Sequence, residues 1–580
     1  MISNLWSLAG VALIVAATVG IGLWGSNSAR TKDFSAARKP VREERNAAAI
    51  SGEYLSAASF LGVAGLVLKD GVDALWYPVG FAAGYLALML FVVAPMRRSG
   101  AFTMPDFVEA RLNSLDLRSL CTVFVLIIGW LYLVPQLQAA GLTLSAITGF
   151  RQHYAGILVV AMLVHLSIVT GLMRAVTLVQ AFQYWVKLFA ITLPAFALLL
   201  VFVTGPPQQA LDEPVPPHFP RDTAVHIDTR VALQVSEPVW LSRSDRGGEP
   251  GAVYLQPGRH VVEAGSELRF PAGAAVPVVS DAEPSNAEWL LPQRGGTTGL
   301  LETYSILIAT FLGTMGLPHV LARFYANPSG AGARRTSLYV LALLGAFYLF
   351  PTIFGLLSRL YVPKLLVTGN TDAAVLLLPH AMLGNWAGGA LAAVTAAGAF
   401  AAFLSTSSGL VVSLAGVLSS RDGLWGRTMS FRTAAAVSCA VPVLLAMPMD
   451  DHNIARSVGL AFAMAASTFC PVLVLGIWWR GLTDVGAACG MLAGGVLVGV
   501  FALAGMAGGD AWWAGLAGQP ALVTVPVSFL VTWGVSRATR NRVPSGVGRL
   551  MLRLHAPDRL GFMNTSLTQE AGPSGGKHQR

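Results

Sequence analysis

Between Ala396 and Val412 the chain reads AAGAFAAFLSTSSGLVV, with four adjacent hydroxyls, Ser405, Thr406, Ser407 and Ser408, inside an apolar run. In hydrocarbon an unpaired polar group costs several kcal/mol, so these hydroxyls need partners. One partner is always at hand, because Ser and Thr can bond back to a carbonyl of their own helix. The Ala and Gly residues just before them allow a second solution. A neighbouring helix can approach closely over such a surface, and adjacent oxygen donors at a close crossing suit a dehydrated monovalent cation.

The rest of the chain says which setting applies. It has 580 residues, 54% of them hydrophobic and 12% charged, with a mean hydropathy of +0.61. A soluble domain carries about twice that charge, roughly 25%. Apolar stretches of roughly 20 residues, the length that crosses hydrocarbon, recur from end to end. The predicted fold class is an all-α polytopic membrane protein. Cys121, Cys439, Cys470 and Cys489 lie in apolar segments without a CxxC pair, so neither a disulfide framework nor a metal site is indicated. The start, MISNLWSLAG, lacks the basic region of a signal peptide, and the first segment is expected to be a retained helix.

Thirteen spans are predicted, near 5–24, 47–68, 74–96, 119–146, 156–173, 175–203, 299–322, 338–361, 388–416, 433–449, 455–479, 484–506 and 512–535. Basic residues cluster after odd-numbered spans: Arg30, Lys32, Arg38, Lys39, Arg42 and Arg45; Arg97, Arg98, Arg111 and Arg118; Arg323, Arg334 and Arg335; Arg421, Arg427 and Arg432; Arg537, Arg540, Arg542 and Arg549. Even-side loops, such as Asp450-Asp451-His452 and the Gly508–Gly515 turn, are poor in Lys and Arg. The positive-inside rule then predicts an outer N-terminus and a cytoplasmic C-terminus in a bacterial-type plasma membrane. The stretch from Asp212 to Glu288 holds twelve acids against six Arg. Alternating runs at Thr229–Val235, Ala252–Leu255 and His260–Val262 predict a small β-rich module there, facing outward. The tail after Pro557 is polar and Gly/Ser-rich, and is expected to be disordered.

Two spans carry helix-breaking chemistry. Span two, NAAAISGEYLSAASFLGVAGLVL, combines Gly52, Glu53, Ser56, Ser59 and Gly62. A carboxylate there costs about 2.5–3.5 kcal/mol at the bilayer centre, so it is expected to face a cavity or a partner. Span seven contains GTMGLPHVLARF, where Pro318 removes a backbone donor and frees carbonyls a turn earlier. Either could be a kinked packing helix. Together they open two runs of five spans, two to six and seven to eleven, and paired discontinuous helices point to a transporter's midplane site.

At these residues the chain resembles the sodium/solute symporter family, and within it the acetate and monocarboxylate permeases. The resemblance is carried by SGEYLSAASFLG at Ser51–Gly62, TMPDFVEARL at Thr103–Leu112, GTMGLPHVLARFY at Gly313–Tyr325 and CPVLVLGIWWRGLTDVGAACGMLAG at Cys470–Gly494. It implies a LeuT-type five-plus-five inverted repeat. The expected parts are 1–46 (first helix and basic loop), 47–203 (first repeat), 204–298 (acidic insert), 299–479 (second repeat), 480–545 (flanking helices) and 546–580 (tail). It also implies a sodium site between spans two and nine, built from the carbonyls of Gly52, Leu55 and Ala402 and the hydroxyls of Ser405 and Thr406. Two departures stand out. Gln180 occupies a position where many members carry an Asp that helps the ion leave, and Leu317-Pro318 replaces the polar residues of the sugar carriers.

The function implied is cation-coupled symport of a small monocarboxylate such as acetate, propionate or pyruvate, by alternating access. The coupling ion is sodium or a proton, and no other cofactor and no nucleic-acid partner is expected. A carboxylate needs donors and a positive field, which broken helix ends supply. Ser56, Ser59, Gln136 and Thr314 are the candidate side-chain donors. Glu53 and His319 are candidates for a proton-carrying or gating role. Lys187 is expected to snorkel or to pair with a carboxylate. A proline-like amino-acid symporter is the alternative within transport. A transporter-like sensor would be expected to feed a signalling domain, whereas little chain follows the last span. No paired carboxylates, HExxH or Ser/His/Asp set suggests an enzyme.

Overall fold

The computed structural model describes residues 2–27, 42–149, 154–170, 173–205, 211, 213–245, 249–292, 296–324, 327, 329–420, 429–448, 454–506 and 518–557. Arg30, Lys32, Arg38, Lys39, Arg421, Arg427, the 450–452 and 508–515 turns and the tail from 558 lie outside the described residues.

The described chain is mostly helical. Ten stretches among the described residues are long and apolar enough to cross a membrane. One of them, Ala58–Ser99, is bent and takes in two of the predicted spans, while two other predicted spans coincide with the shorter apolar helices Tyr154–Ile168 and Phe431–Ala446. A third short apolar stretch, Thr371–Leu383, was not among the predicted spans.

The first half begins with α1 (Ile2–Asn27) and α2 (Glu43–Tyr54). Helical geometry stops at Leu55 and Ser56, resumes through one wide turn at Ala58–Gly62, and continues as α3 (Val63–Asp70). Gly71 turns the chain with φ +65°, and a Cβ there would strike the carbonyl of Trp289. Then come α4 (Trp76–Ala87), α5 (Val93–Ser99), α6 (Met104–Leu112), α7 (Leu115–Thr148), α8 (Tyr154–Thr170) and α9 (Met173–Thr204). The corner between α6 and α7 is written in the sequence. Thr103 caps α6 with Pro105 in its first turn, Asn113 takes the left-handed conformation, and Ser114 caps α7 by accepting from Leu117 N–H.

The acidic insert forms two antiparallel sheets. They use β1 (Thr223–His226), β2 (Val231–Val235), β3 (Val239–Asp245), β4 (Gly251–Leu255), β5 (Gly258–Val262), β6 (Ser266–Phe270) and β7 (Val278–Val279). Strand order is β1-β6-β3-β4 in one sheet and β5-β2-β7 in the other. Val225, Leu233, Leu241, Leu268, Phe270 and Val278 alternate inward along these strands and are buried.

A short helix, α10 (Asn286–Trp289), leads back to the bundle. The second half contains α11 (Gly296–Gly316), α12 (Pro318–Phe324), α13 (Gly330–Tyr361), α14 (Lys364–Thr368), α15 (Ala374–Leu383), α16 (Trp386–Leu418), α17 (Phe431–Ala446) and α18 (Ile454–Trp478). It is followed by α19 (Asp484–Met506), α20 (Ala521–Ala538) and α21 (Val547–His555). Proline at 318 cannot donate, so the chain breaks at Leu317 between α11 and α12. The Ala/Gly-rich α16, capped by Asn385, packs against α1, α7, α9 and α17 and also touches α2.

The insert is anchored at one end of the bundle through Trp289. This indole is fully buried, and its Nε1–H donates to the carbonyls of Val67 (2.9 Å) and Leu68 (3.1 Å) at the end of α3. The Arg359 guanidinium of α13 lies 5.0 Å from the ring and bonds Asn286 Oδ1 (3.0 Å) and Glu283 O (2.9 Å). Lys69 forms an ion pair with Asp281 at the same junction. Removing a buried tryptophan costs about 3–5 kcal/mol. Trp289→Ala should therefore lower the thermal unfolding temperature of the purified protein clearly. Trp240→Ala, on an exposed strand position at 62% exposure, should leave it unchanged.

Candidate functional site

The break at Leu55–Ser56 lies deep in the bundle, so each polar group it frees must find a partner. The N–H of Ala57 donates to Gln136 Oε1 of α7 at 2.8 Å, and Gln136 Nε2 in turn reaches the Tyr132 carbonyl at 3.4 Å. Gln136, one of the candidate substrate donors, is thus engaged in holding the break open.

The carbonyls on the other side of the break are taken by α16 and α9. Ser405 Oγ–H donates to Gly52 O at 2.6 Å and lies 3.3 Å from Ala402 O of its own helix. Thr406 Oγ1–H donates to Glu53 O at 2.7 Å. Lys187 of α9 is fully buried. It donates to the Gly52 carbonyl, to Leu55 O at 2.7 Å and to Ser405 Oγ at 2.5 Å. Four of the five oxygens assigned to a cation thus lie around the Lys187 ammonium and Ser405. The fifth, on Thr406, is turned one residue along α2 toward Glu53. The expectation for Lys187 is corrected here: it neither snorkels nor pairs with a carboxylate, but binds oxygens of α2 and α16.

Close backbone approach makes this possible. A Cβ on Gly52 would collide with the Gln180 carbonyl, and one on Gly409 would collide with the Glu53 carboxyl. Gln180 and Lys187 are seven residues apart on α9 and so share a face. Both point at the α2–α16 contact.

Glu53 is engaged as well. Its Oε2 accepts from Arg323 Nε of α12 at 2.6 Å, and both side chains are almost entirely enclosed. Arg323 also donates to Gln180 Oε1 (2.5 Å) and Thr177 Oγ1 (3.3 Å), and Gln180 Nε2 donates to Ser405 O at 3.1 Å. The pair thereby joins one segment from each broken span, with α9 and α16 attached. Where many relatives would place an Asp, Gln180 supplies a neutral bridge. Lys187 and Arg323 together set two positive groups against the single carboxylate of Glu53.

Beside the break stands a cluster of rings. Tyr54 meets Phe81, Tyr85 and Phe462 edge-on, with centroids 5.9, 4.7 and 6.4 Å away. Phe462 contacts Tyr132, and Tyr132 contacts His319 at 5.1 Å. Thr314 accepts from Tyr54 OH at 3.1 Å while donating to Thr310 O at 2.7 Å. Ser59 Oγ and Tyr348 OH are 3.0 Å apart. Tyr85 OH, His319 Nε2 and, at the break itself, Glu53 Oε1 are buried polar atoms without a hydrogen-bond partner, while Ser56 Oγ lies against Tyr132. Gln136, Ser59 and Thr314 therefore already have partners within the protein, whereas the Nε2 of His319 does not.

Sequence reading passed over Arg323, Tyr85 and the role of Lys187. Lys187 carried a signal, since an isolated charge within an apolar span is costly and marks a site by default. Tyr85 and Arg323 carried none, because the groups around them come from other elements of the fold.

The comparisons with known proteins agree on the class of molecule. The family model described as "Sodium:solute symporter family" matches residues 34–206 and 274–494. The chain is 27% identical to "Uncharacterized symporter YwcA" of Bacillus subtilis (strain 168), over 526 residues covering 87% of this chain and 88% of that protein. Its fold is similar to that of a Na+-coupled sialic acid symporter solved in a substrate-bound, outward-open state. There the TM-score is 0.56 and the identity 13%, covering 91% of this chain and 97% of that one. This multi-pass membrane protein belongs to the sodium:solute symporter family.

Proposed function

We propose that the chain is a secondary active symporter that carries a small monocarboxylate, such as acetate, propionate or pyruvate, by alternating access. Sodium or a proton is its coupling ion. The observation that carries the substrate class is the charge and donor arrangement at the break. Two positive groups, the buried Lys187 and the part-buried Arg323, face one carboxylate, and Tyr85 OH and His319 Nε2 are buried without partners. That combination favours an anion with hydrogen-bond acceptors. The rings of Tyr54, Phe81, Tyr132 and Phe462 beside the break would suit a short apolar tail. A zwitterion such as proline would need a carboxylate for its ammonium, and Glu53 already has Arg323 on one of its oxygens.

Alternating access then follows from the same contacts, with the five-plus-five repeat as its frame. Glu53–Arg323 closes one end of the pathway by tying α2 to α12. Opening that end requires the pair to separate while Gln136 keeps the break itself intact. The alternation of basic loops supports placing the insert outside and the C-terminus in the cytoplasm of a bacterial-type plasma membrane. The Glu53–Arg323 pair would then stand on the cytoplasmic side of the break.

Labelled acetate, pyruvate and proline should be presented to proteoliposomes under a sodium gradient and, separately, under a proton gradient. Concentrative uptake of acetate or pyruvate is expected. Accumulation of proline with neither monocarboxylate transported would overturn the substrate class. Tyr85→Phe removes one free donor with little change in packing. A hydrogen bond to a charged group contributes about 1.5–3 kcal/mol, so the half-saturating monocarboxylate concentration should rise roughly 10- to 150-fold. An unchanged value would remove Tyr85 from the site.

A further inference from the structure

We propose that Lys187 is a tethered cation that permanently takes the place of a sodium ion between α2 and α16, so that this chain binds no sodium there. The inference refines the coupling half of the proposed function and rests on it for its meaning in transport. Its structural content stands on the oxygen cage alone.

The hydrogen-bond inventory favours a protonated amine. Lys187 Nζ has three acceptors: Gly52 O, Leu55 O and Ser405 Oγ. A neutral amine has two N–H donors and an ammonium has three. Ser405 Oγ lies 2.6 Å from Gly52 O, which can only accept, and giving its one proton there leaves it an acceptor toward Lys187. These are the same carbonyls and hydroxyl that would otherwise coordinate a hard monovalent cation. A second cation among them would stand beside a like charge of the protein, in an interior that screens poorly.

The lysine is also held in place. Its side chain has no exposed surface. Its helix is fixed in the two turns before it, by Gln180 Nε2 to Ser405 O at 3.1 Å and by Gln183 Nε2 to Thr18 Oγ1 at 3.2 Å. The positive charge that joins α2 to α16 is therefore built into α9, whereas a bound ion would arrive and leave with each cycle. Coupling through the movement of sodium at this position is then closed to the chain.

Binding of ²²Na⁺ to the purified full-length protein, read by scintillation proximity in sodium-free buffer, tests this without any substrate. The expected result for the unmodified protein is no saturable binding that Ser405→Ala removes; any binding that survives Ser405→Ala lies elsewhere and agrees with the proposal. Lys187→Ala, and Lys187→Met as a variant that keeps the volume, should gain saturable ²²Na⁺ binding, and adding Ser405→Ala should abolish it. Saturable binding by the unmodified protein that Ser405→Ala abolishes would overturn the proposal. So would monodisperse Lys187→Ala and Lys187→Met proteins that bind none. If neither variant folds, the unmodified protein and Ser405→Ala decide the matter. Failure of the monocarboxylate reading would show in uptake, and leaves this binding result untouched.

Discussion

An opened helix turn inside a packed membrane bundle is the constraint around which this molecule is arranged. Water is not there to satisfy the N–H and C=O groups that such a turn exposes, so other helices must do it. At Leu55–Ser56 they come from three directions: Gln136 takes the Ala57 N–H, Ser405 and Thr406 donate to the Gly52 and Glu53 carbonyls, and Lys187 donates to the Gly52 and Leu55 carbonyls. The small residues of α16 and the glycines at 52 and 409 let those helices come close enough to reach. The unusual composition of span nine, hydroxyls after a run of Ala and Gly, is therefore a consequence of the break in span two.

A second layer of polar contacts encloses the first. Glu53 and Arg323 link the two interrupted spans, and Gln180 couples that pair to the Ser405 carbonyl. Breaking such a buried pair by removing one partner costs about 3–5 kcal/mol, because the remaining charge is left uncompensated. A transport cycle that separates the pair needs other polar groups to receive both charges at that moment. A monocarboxylate arriving near Arg323 would be one such group.

Much of this was legible in the sequence, for reasons that can be stated. Apolar lengths placed the helices, because bilayer thickness acts locally along the chain. Gly52, Glu53, Pro318 and the Ser405–Ser408 run announced the irregular segments, since each is expensive in an ordinary apolar helix. What could not be read was which partner each polar group finds. Gln136 looked like a substrate donor and is bonded to Ala57 N–H. Lys187 looked like a lysine seeking the interface or a carboxylate and is bonded to the oxygens set aside for an ion. Both outcomes depend on how α7 and α9 are rotated against α2, which no local pattern encodes.

The most direct test of the account is an experimental density map of the protein, collected once in sodium buffer and once in sodium-free buffer, at a resolution that resolves the Lys187 side chain. The account predicts continuous density from Lys187 to the carbonyls of Gly52 and Leu55 and to Ser405 Oγ in both maps. A separate peak among those oxygens in the sodium map, with Lys187 turned away from them, would contradict it.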